Sequence, residues 1–200
     1  MKRVMDICGA FVGLALSLPV VALAALAIAV NMGRPIFFRQ MRRGLRGKMF
    51  NLYKLRTMND AHDENGELLP DAARLTPLGR LLRRTSIDEL PQLWNVLRGE
   101  MSLVGPRPLF ARYYERYDAR QIRRHDVKPG ITGWAQINGR NAVSWTEKFE
   151  MDLWYVEHQS VWLDLKILAA TVGKFLRQDG ISQADHATMP EFLGTPGERS

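Results

Sequence analysis

Residues 7–30 of the sequence, ICGAFVGLALSLPVVALAALAIAV, contain no charged side chain. As an α-helix, this segment is long enough to cross a hydrocarbon core of about 30 Å. Basic residues flank it on both sides, because MKR precedes it and residues 34–56 carry lysines and arginines but no acid. Since positive charge marks the cytoplasmic side of a membrane, both flanks are expected on that side.

Three membrane topologies are candidates for this apolar segment. A cleaved signal peptide would use Ala22-Leu23-Ala24 as its cleavage site, but the apolar run continues beyond it. A simple spanning helix conflicts with the two basic flanks. A re-entrant helix fits both flanks if Pro19 breaks it, with the Ser17 hydroxyl as one donor for the carbonyl that the proline leaves free. The charge pattern favours the re-entrant topology.

The composition limits the number of domains, the class of binding partner and the possible disulfides. Two hundred residues, 46% of them hydrophobic, suffice for one domain with a core. The net charge of +7 indicates an anionic partner, such as nucleic acid, anionic lipid or a phosphorylated small molecule. Cys8 is the single cysteine, so no internal disulfide can form.

Local patterns after residue 34 predict a small interfacial domain. The predicted elements are strands at 35–40 and 49–58, a surface loop at 59–75, helices starting at Thr76 and covering 91–99, a helical stretch at 111–126, a glycine-rich loop at 127–141 and a helical element at 145–177. The predicted fold class is therefore α+β and mainly helical. It comprises a re-entrant membrane helix (1–33), a cytoplasmic α/β catalytic domain with amphipathic helices (34–180) and a C-terminal tail (181–200).

An apolar stripe within 145–177 leaves two interpretations open. Its members recur at helical spacing: Val161, Leu165, Leu168, Val172 and Phe175. Such a stripe is typical of core packing. The tryptophans of the same element also allow a membrane-interface role, where amphipathic aromatics concentrate.

The segment TSIDELPQLW (85–94) places two adjacent carboxylates, Asp88 and Glu89, before a proline in a basic chain. The structural interpretation is helix capping. Asp88 as N-cap puts Pro91 within the opening turn, where its missing N–H is not needed. A capping box from Ser86 would leave the proline inside the hydrogen-bond ladder, so Asp88 is the preferred cap.

The surroundings of this acidic pair suggest chemistry on phosphate. Arg83 precedes the pair, and Arg107 follows it between two prolines, a stiff mount for a guanidinium that suits bidentate phosphate contact. An ionised aspartate in such a cluster can attack phosphorus or can bind Mg²⁺ beside substrate phosphates. The residues alone do not separate these two uses, and Glu89 can serve the one that Asp88 does not.

Several long motifs in order resemble the bacterial sugar transferase family of small monotopic phosphoglycosyl transferases. They are KRVMDICGA, FFRQMRRGLRGKMFNLYKLRTM, RTSIDELPQLWNVLRGEMSLVGPRPLF, HDVKPGITGWAQINGRN and DLKILAATVGKFL. The resemblance implies a ping-pong reaction on the cytoplasmic face of the bacterial inner membrane. A phospho-sugar would pass from a UDP-sugar, expected to be a UDP-N-acetylhexosamine or a derivative, to polyprenyl (undecaprenyl) phosphate, with UMP released.

The same resemblance implies roles for individual residues. Asp88 would be the nucleophile and Glu89 would help with metal or proton handling, with Mg²⁺ bound at this pair. Phosphate or other anionic groups of the substrate would contact Arg107, Lys54, Arg83, Arg140 and His125. For His125, a structural hydrogen bond at a turn is an equal alternative.

Two differences from the family's pattern qualify the resemblance. The break in the membrane segment is often a Ser-Pro pair in the family, whereas this chain has Leu18-Pro19, which leaves the details of the bend open. The chain also lacks the extra N-terminal helices of larger members, so a minimal catalytic unit is expected.

Two competing functions make different predictions. A membrane-anchored nucleic-acid-binding protein fits the charge, but no recognised nucleic-acid motif is present, so no nucleic-acid partner is expected. A non-catalytic scaffold would use residues 34–56 to bind anionic lipid and would not need Asp88.

Overall fold

The computed structural model describes residues 1–139, 143–177 and 191–194 of the chain. These residues form a mainly helical fold with two small sheets, as the sequence predicted. The helices are α1 (Lys2–Met32), α2 (Asp71–Arg74), α3 (Pro77–Arg84), α4 (Gln92–Arg98), α5 (Trp134–Asn138), α6 (Trp145–His158) and α7 (Val161–Arg177). The strands are β1 (Phe37–Arg43), β2 (Met49–Leu55), β3 (Ser102–Val104) and β4 (Gly130–Thr132).

Helix α1 continues through Pro19 without interruption, so the predicted break into two helical segments is wrong. The proline removes one hydrogen bond, and the flanking leucines and alanines are strong helix formers that keep the remaining ones. Ser17 Oγ donates to the Leu14 carbonyl at 3.3 Å, rather than to the Ala15 carbonyl four residues before the proline. A re-entrant path would therefore require a bend within a continuous helix.

One face of α1 packs against the rest of the domain over most of the helix length. Two core clusters share this contact: Ala10 with Phe50, Leu52, Leu93, Val96 and Met101, and Ala24 and Ile28 with Leu55 and Leu82. The opposite face is apolar and exposed at Phe11, Leu16, Leu23, Leu26 and Val30. By length and composition, α1 is the helix within the described residues that could cross a membrane.

Both ends of α1 are anchored to the same domain. Near its start, Lys2 Nζ lies 2.6 Å from Asp164 Oδ2 in α7, and Asp6 accepts a hydrogen bond of 2.8 Å from Ser102 Oγ. At its end, Arg56 donates to the carbonyl of Met32 at 3.2 Å. The helix therefore lies along the domain instead of leaving it at one end.

The predicted hairpin is confirmed, with small changes in its bounds. Strands β1 and β2 are antiparallel, and Phe37 pairs with Leu55. The predicted glycine-rich loop, in contrast, contains β4 and α5, and β4 pairs in parallel with β3. The sheet forms because glycines let the two chains approach closely. A Cβ on Gly130 would lie 2.1 Å from the Gly105 nitrogen.

Helix ends follow the expected chemistry. Thr76 caps α3 by accepting a hydrogen bond of 2.9 Å from the Gly79 N–H, as predicted. Helix α4 ends at Gly99, whose φ of 80° only glycine adopts easily, also as predicted.

Each of two long helical stretches predicted from the sequence forms two shorter elements in the structure. Residues 111–126 form two 3-10 segments, Ala111–Arg116 and Gln121–His125, because the Asp118 carboxylate binds the N–H groups of Arg120 and Gln121 and makes a turn. Residues 145–177 form α6 and α7, and Ser160 Oγ accepts from the Leu163 N–H at the start of α7.

The apolar stripe of α7 is partly packed in the core and partly exposed. Leu168 packs against the core, whereas Leu165 and Val172 are exposed. The side chain of Phe175 lies outside the described residues, as does the predicted tail apart from residues 191–194. The proposed domain limits stay a prediction.

Candidate active site

The two acids lie on a 3-10 turn, Ile87–Glu89, immediately before α4. The prediction that Asp88 caps this helix is wrong. Helix α4 begins after Pro91, and no side chain caps it. Backbone bonds close the turn instead, from the Glu89 N–H to the Ser86 carbonyl and from the Leu90 N–H to the Ile87 carbonyl. Both carboxylates are therefore free for other contacts.

Glu89 is held by two cations from different parts of the fold. Its carboxylate lies 2.6 Å from Lys54 Nζ of β2 and accepts hydrogen bonds from both terminal nitrogens of Arg107, one of them at 3.3 Å. Burial opposes ionisation, but the charges of Arg107 and Lys54 outweigh it and hold the pKa of Glu89 well below its ordinary value. Glu89 is thus a fixed anion.

Asp88 has the opposite environment. It is 5% exposed, and its nearest cation is Lys54, 4.0 Å away. Within the described residues, its side chain accepts no hydrogen bond. Burial raises the pKa of Asp88 to about 6, with the negative charge of Glu89 adding to the effect and Lys54, Arg83 and Arg107 opposing it. Asp88 is therefore a poorly solvated carboxylate beside several cations.

Arg107 stands on a rigid support. It follows β3 between Pro106 and Pro108, and its carbonyl accepts a hydrogen bond of 2.8 Å from Arg124. Arg124 also forms an ion pair of 2.7 Å with Asp152 of α6, and both side chains are buried. These contacts fix the backbone from which the Arg107 guanidinium reaches Glu89.

Arg83 approaches the pair from α3. Its Nε donates to Thr57 Oγ1 at 3.1 Å, and its charge is close enough to lower the pKa of Asp88. The structure therefore brings together five of the predicted residues: Lys54, Arg83, Asp88, Glu89 and Arg107.

His125 is not brought to this cluster. Its Nδ1 is 2.9 Å from the Gly44 carbonyl, and its ring packs edge-on against Tyr114 at 5.2 Å between centroids. These contacts fit the structural alternative. Arg140, the remaining candidate, lies outside the described residues.

Two further cations near Arg107 were missed by the sequence analysis. Burial lowers the pKa of Arg42 to about 10, and the charge of Arg107 adds to this shift. Burial likewise lowers the pKa of Lys148 to about 8, with Arg107 and Arg124 contributing. Arg42 is one of many basic residues in 34–56, and Lys148 is an ordinary position in a helical pattern, so the sequence held no signal for either. Together they extend the positive field beyond Glu89.

A metal ion would find few protein ligands here. In the part of the chain that the structure describes, no group of three or more metal-binding side chains is clustered. The adjacent Asp88 and Glu89 suit Mg²⁺ only if substrate phosphates complete the coordination, which is the common arrangement for this ion.

Comparison with known proteins completes this description. A family model described as bacterial sugar transferase matches residues 1–178. The chain is 54% identical over 195 residues to the "uncharacterized sugar transferase EpsL" of Bacillus subtilis, covering 98% of this chain and 96% of the relative.

Two more relatives have names that describe a reaction. The UDP-glucose:undecaprenyl-phosphate glucose-1-phosphate transferase of Caulobacter vibrioides is 43% identical over 89% of this chain and 70% of its own length. A protein of the same name from Escherichia coli is 45% identical over 87% of this chain, which spans only 40% of that relative. These matches confirm the resemblance and the expectation of a transferase of phosphorus-containing groups. The chain belongs to the bacterial sugar transferase family.

Proposed function

We propose that this protein transfers a sugar phosphate from a UDP-sugar to polyprenyl phosphate, through a covalent phospho-sugar on Asp88. The observation that carries this proposal is the contrast between the two acids. Glu89 is neutralised by Lys54 and Arg107, whereas Asp88 is buried and accepts no hydrogen bond from any residue that the structure describes. A carboxylate without hydrogen-bond donors is the better nucleophile, so the attack is assigned to Asp88.

The reaction has two steps. An oxygen of the Asp88 carboxylate attacks the β-phosphorus of the UDP-sugar, the bond from that phosphorus to the bridging oxygen breaks, and UMP leaves with the bridging oxygen. An oxygen of polyprenyl phosphate then attacks the same phosphorus and displaces the carboxylate. The product is a polyprenyl diphospho-sugar, and Asp88 is regenerated.

The cations of the site have defined tasks in this scheme. Lys54 and Arg107 fix Glu89 beside the nucleophile, and Arg83, Arg42 and Lys148 provide positive potential for the diphosphate. Mg²⁺, held by the acidic pair together with substrate phosphates, would offset the charge of the diphosphate. Every other contribution comes from side chains of the chain itself.

The membrane arrangement follows from the two anchors of α1. A helix of 31 residues is about 46 Å long, more than the roughly 30 Å of a hydrocarbon core. Yet Lys2 at its start and Met32 at its end both contact the same domain. We infer that α1 enters one leaflet and returns by a bend within the continuous helix, with its exposed apolar face in lipid. The basic residues on both sides of the apolar segment support a domain on the cytoplasmic face of the inner membrane.

The test is UMP release from a panel of UDP-sugars, without and with undecaprenyl phosphate. The panel includes UDP-glucose and UDP-galactose beside the UDP-N-acetylhexosamines, because curated relatives are named for glucose and galactose transfer. Asp88→Asn should lower UMP release by more than about a thousandfold, since removing a nucleophile removes the chemical step.

A matched control separates this effect from general damage. Asp71→Asn changes an exposed acid that pairs with Arg74 and should leave UMP release unchanged. Substantial turnover by a folded Asp88→Asn variant would remove Asp88 as the nucleophile.

A further inference from the structure

An apolar groove runs between the middle of α1 and the catalytic domain. Its cavity volume is about 320 Å³. Three elements form its walls, through Leu18 and Val21 of α1, Phe37 and Tyr53 of the β1–β2 hairpin, and Pro91 and Trp94 at the start of α4. The groove is thus bordered both by the apolar helix and by the segment that carries the acidic pair.

The walls of the groove remain partly open. Leu18, Phe37 and Trp94 are each about half exposed or more, although all three are large apolar side chains. Exposed apolar surface of this kind indicates a binding site for an apolar partner. Because α1 forms one wall, a molecule confined to the membrane can reach the groove without crossing water.

The position of the groove and the charge in its lining indicate which kind of molecule it binds. Pro91, which lines the groove, is two residues from Glu89 and three from Asp88 in the chain, so the segment that follows the catalytic turn forms part of the groove wall. The charged residue of the lining is Arg39, whose guanidinium lies 5.5 Å from the Tyr53 ring centroid. An apolar channel that has a cation in its lining and is bordered by the segment following the acidic pair fits an isoprenoid chain that carries a phosphate. The volume is at the lower end for ligand sites, so it fits a short part of such a chain.

We propose that this groove binds the first isoprene units of the lipid acceptor and directs its phosphate toward Asp88. This proposal rests on the proposed function and adds to it a binding site for the second substrate. Occupancy of the groove is needed only in the second step, when the lipid phosphate attacks the intermediate. The first step, release of UMP, does not involve it.

The test compares two leucines of α1 that differ in their relation to the groove. Leu18 lines the groove and is 67% exposed, whereas Leu23 is 69% exposed and does not line it. Leu18→Trp should obstruct the groove and raise the KM for undecaprenyl phosphate about tenfold or more, because several buried methylene groups lose their contacts. Its UMP burst without lipid should equal that of the wild type, and Leu23→Trp should change neither quantity.

Each outcome has a separate meaning. If the wild type gives no UMP burst, the proposed function fails whatever the groove binds. If the wild type gives a burst but Leu18→Trp leaves the KM unchanged, or if both variants raise it equally, the groove proposal is overturned while the function stands.

Photocrosslinking of the wild type tests the same site without any substitution. A polyprenyl phosphate with a diazirine in the isoprene nearest the phosphate should label peptides that contain Val21, Tyr53 or Trp94. A phosphatidylglycerol with a diazirine in its acyl chain serves as the competing probe. Preferential labelling of these peptides by the phosphatidylglycerol would identify the groove as a site for bilayer lipid and refute the proposal.

Discussion

Asp88 and Glu89 are adjacent in the sequence but differ in every contact that governs their chemistry. Glu89 is bound by Lys54 and Arg107, which hold its pKa low. Asp88 is buried, it has no hydrogen bond within the described part of the chain, and burial raises its pKa to about 6. The same turn thus carries Glu89, a carboxylate held in its ionised form, and Asp88, a carboxylate whose pKa is raised.

The pH dependence of the first step follows from this difference. The nucleophile must be ionised, so kcat/KM for UMP release should rise about tenfold per pH unit below 6 and level off above it. The groups facing Asp88 are Lys54, Glu89, Arg83 and Arg107, and the other acid, Glu89, stays ionised between pH 5 and 8 because its pKa is held well below that range. A flat profile over this range would show that Asp88 does not govern the step.

The sequence identified the site residues that lie in recognisable motifs, and it carried no signal for the others. The acidic pair and Arg107 stand out because carboxylates before a proline and an arginine between prolines are unusual patterns. The assignment of Asp88 as a cap failed because a 3-10 turn satisfied the backbone without it. Arg42 could not be selected from its basic neighbours, since only burial and proximity to Arg107 distinguish it.

At the scale of elements, α1 carries an exposed apolar face and also contacts the elements around the site. Its start binds α7 through Lys2 and Asp164, and Arg3 donates to the carbonyls of Val96 and Leu97 at the end of α4. Because α4 follows directly from the catalytic turn, the position of α1 influences the position of the acidic pair.

Loss of the Lys2 anchor should destabilise the protein. Asp164 is fully buried, so Lys2→Met would leave its charge without a cation and lower the free energy of unfolding by about 3–5 kcal/mol. Thermal unfolding in detergent measures this change, and adding Asp164→Asn should restore part of the loss. As a control, Lys166→Met changes an exposed lysine of α7, the helix that carries Asp164. It should change stability by less than about 0.5 kcal/mol. Equal stability of Lys2→Met and the wild type would show that the ion pair does not anchor α1.

Elements with strong local signals were predicted well, and elements formed by long-range contact were not. The cap at Thr76 and the stop at Gly99 follow from local backbone chemistry. The β3–β4 pair joins short segments more than twenty residues apart, and its glycines had indicated only a loop. The length of the uncharged apolar segment identified α1 as a helix, but it could not show that one face of α1 packs on the domain.

At the scale of the whole molecule, the proposed membrane arrangement depends on the two anchors of α1. The apolar outer face of the helix is exposed over most of its length, while its inner face and both ends hold the domain. In the proposed arrangement, the domain would remain at headgroup depth, where a soluble UDP-sugar and a lipid phosphate would both be within reach.

Cysteine labelling tests this topology. In a Cys8→Ser background, single cysteines replace Val4 and Lys48, which are both exposed and lie on opposite sides of the apolar segment. A membrane-impermeant maleimide should label both positions in inverted inner-membrane vesicles and neither in right-side-out spheroplasts. Labelling of the two cysteines from opposite sides would mean that α1 spans the bilayer.

Intact-protein mass spectrometry after incubation with a UDP-sugar and no lipid acceptor is the most direct measurement of the central claim. The wild type should gain the mass of one phospho-sugar on the peptide containing Asp88, and undecaprenyl phosphate should remove it. If UMP is released in the presence of the acceptor but no adduct forms on Asp88 in its absence, the covalent mechanism is contradicted.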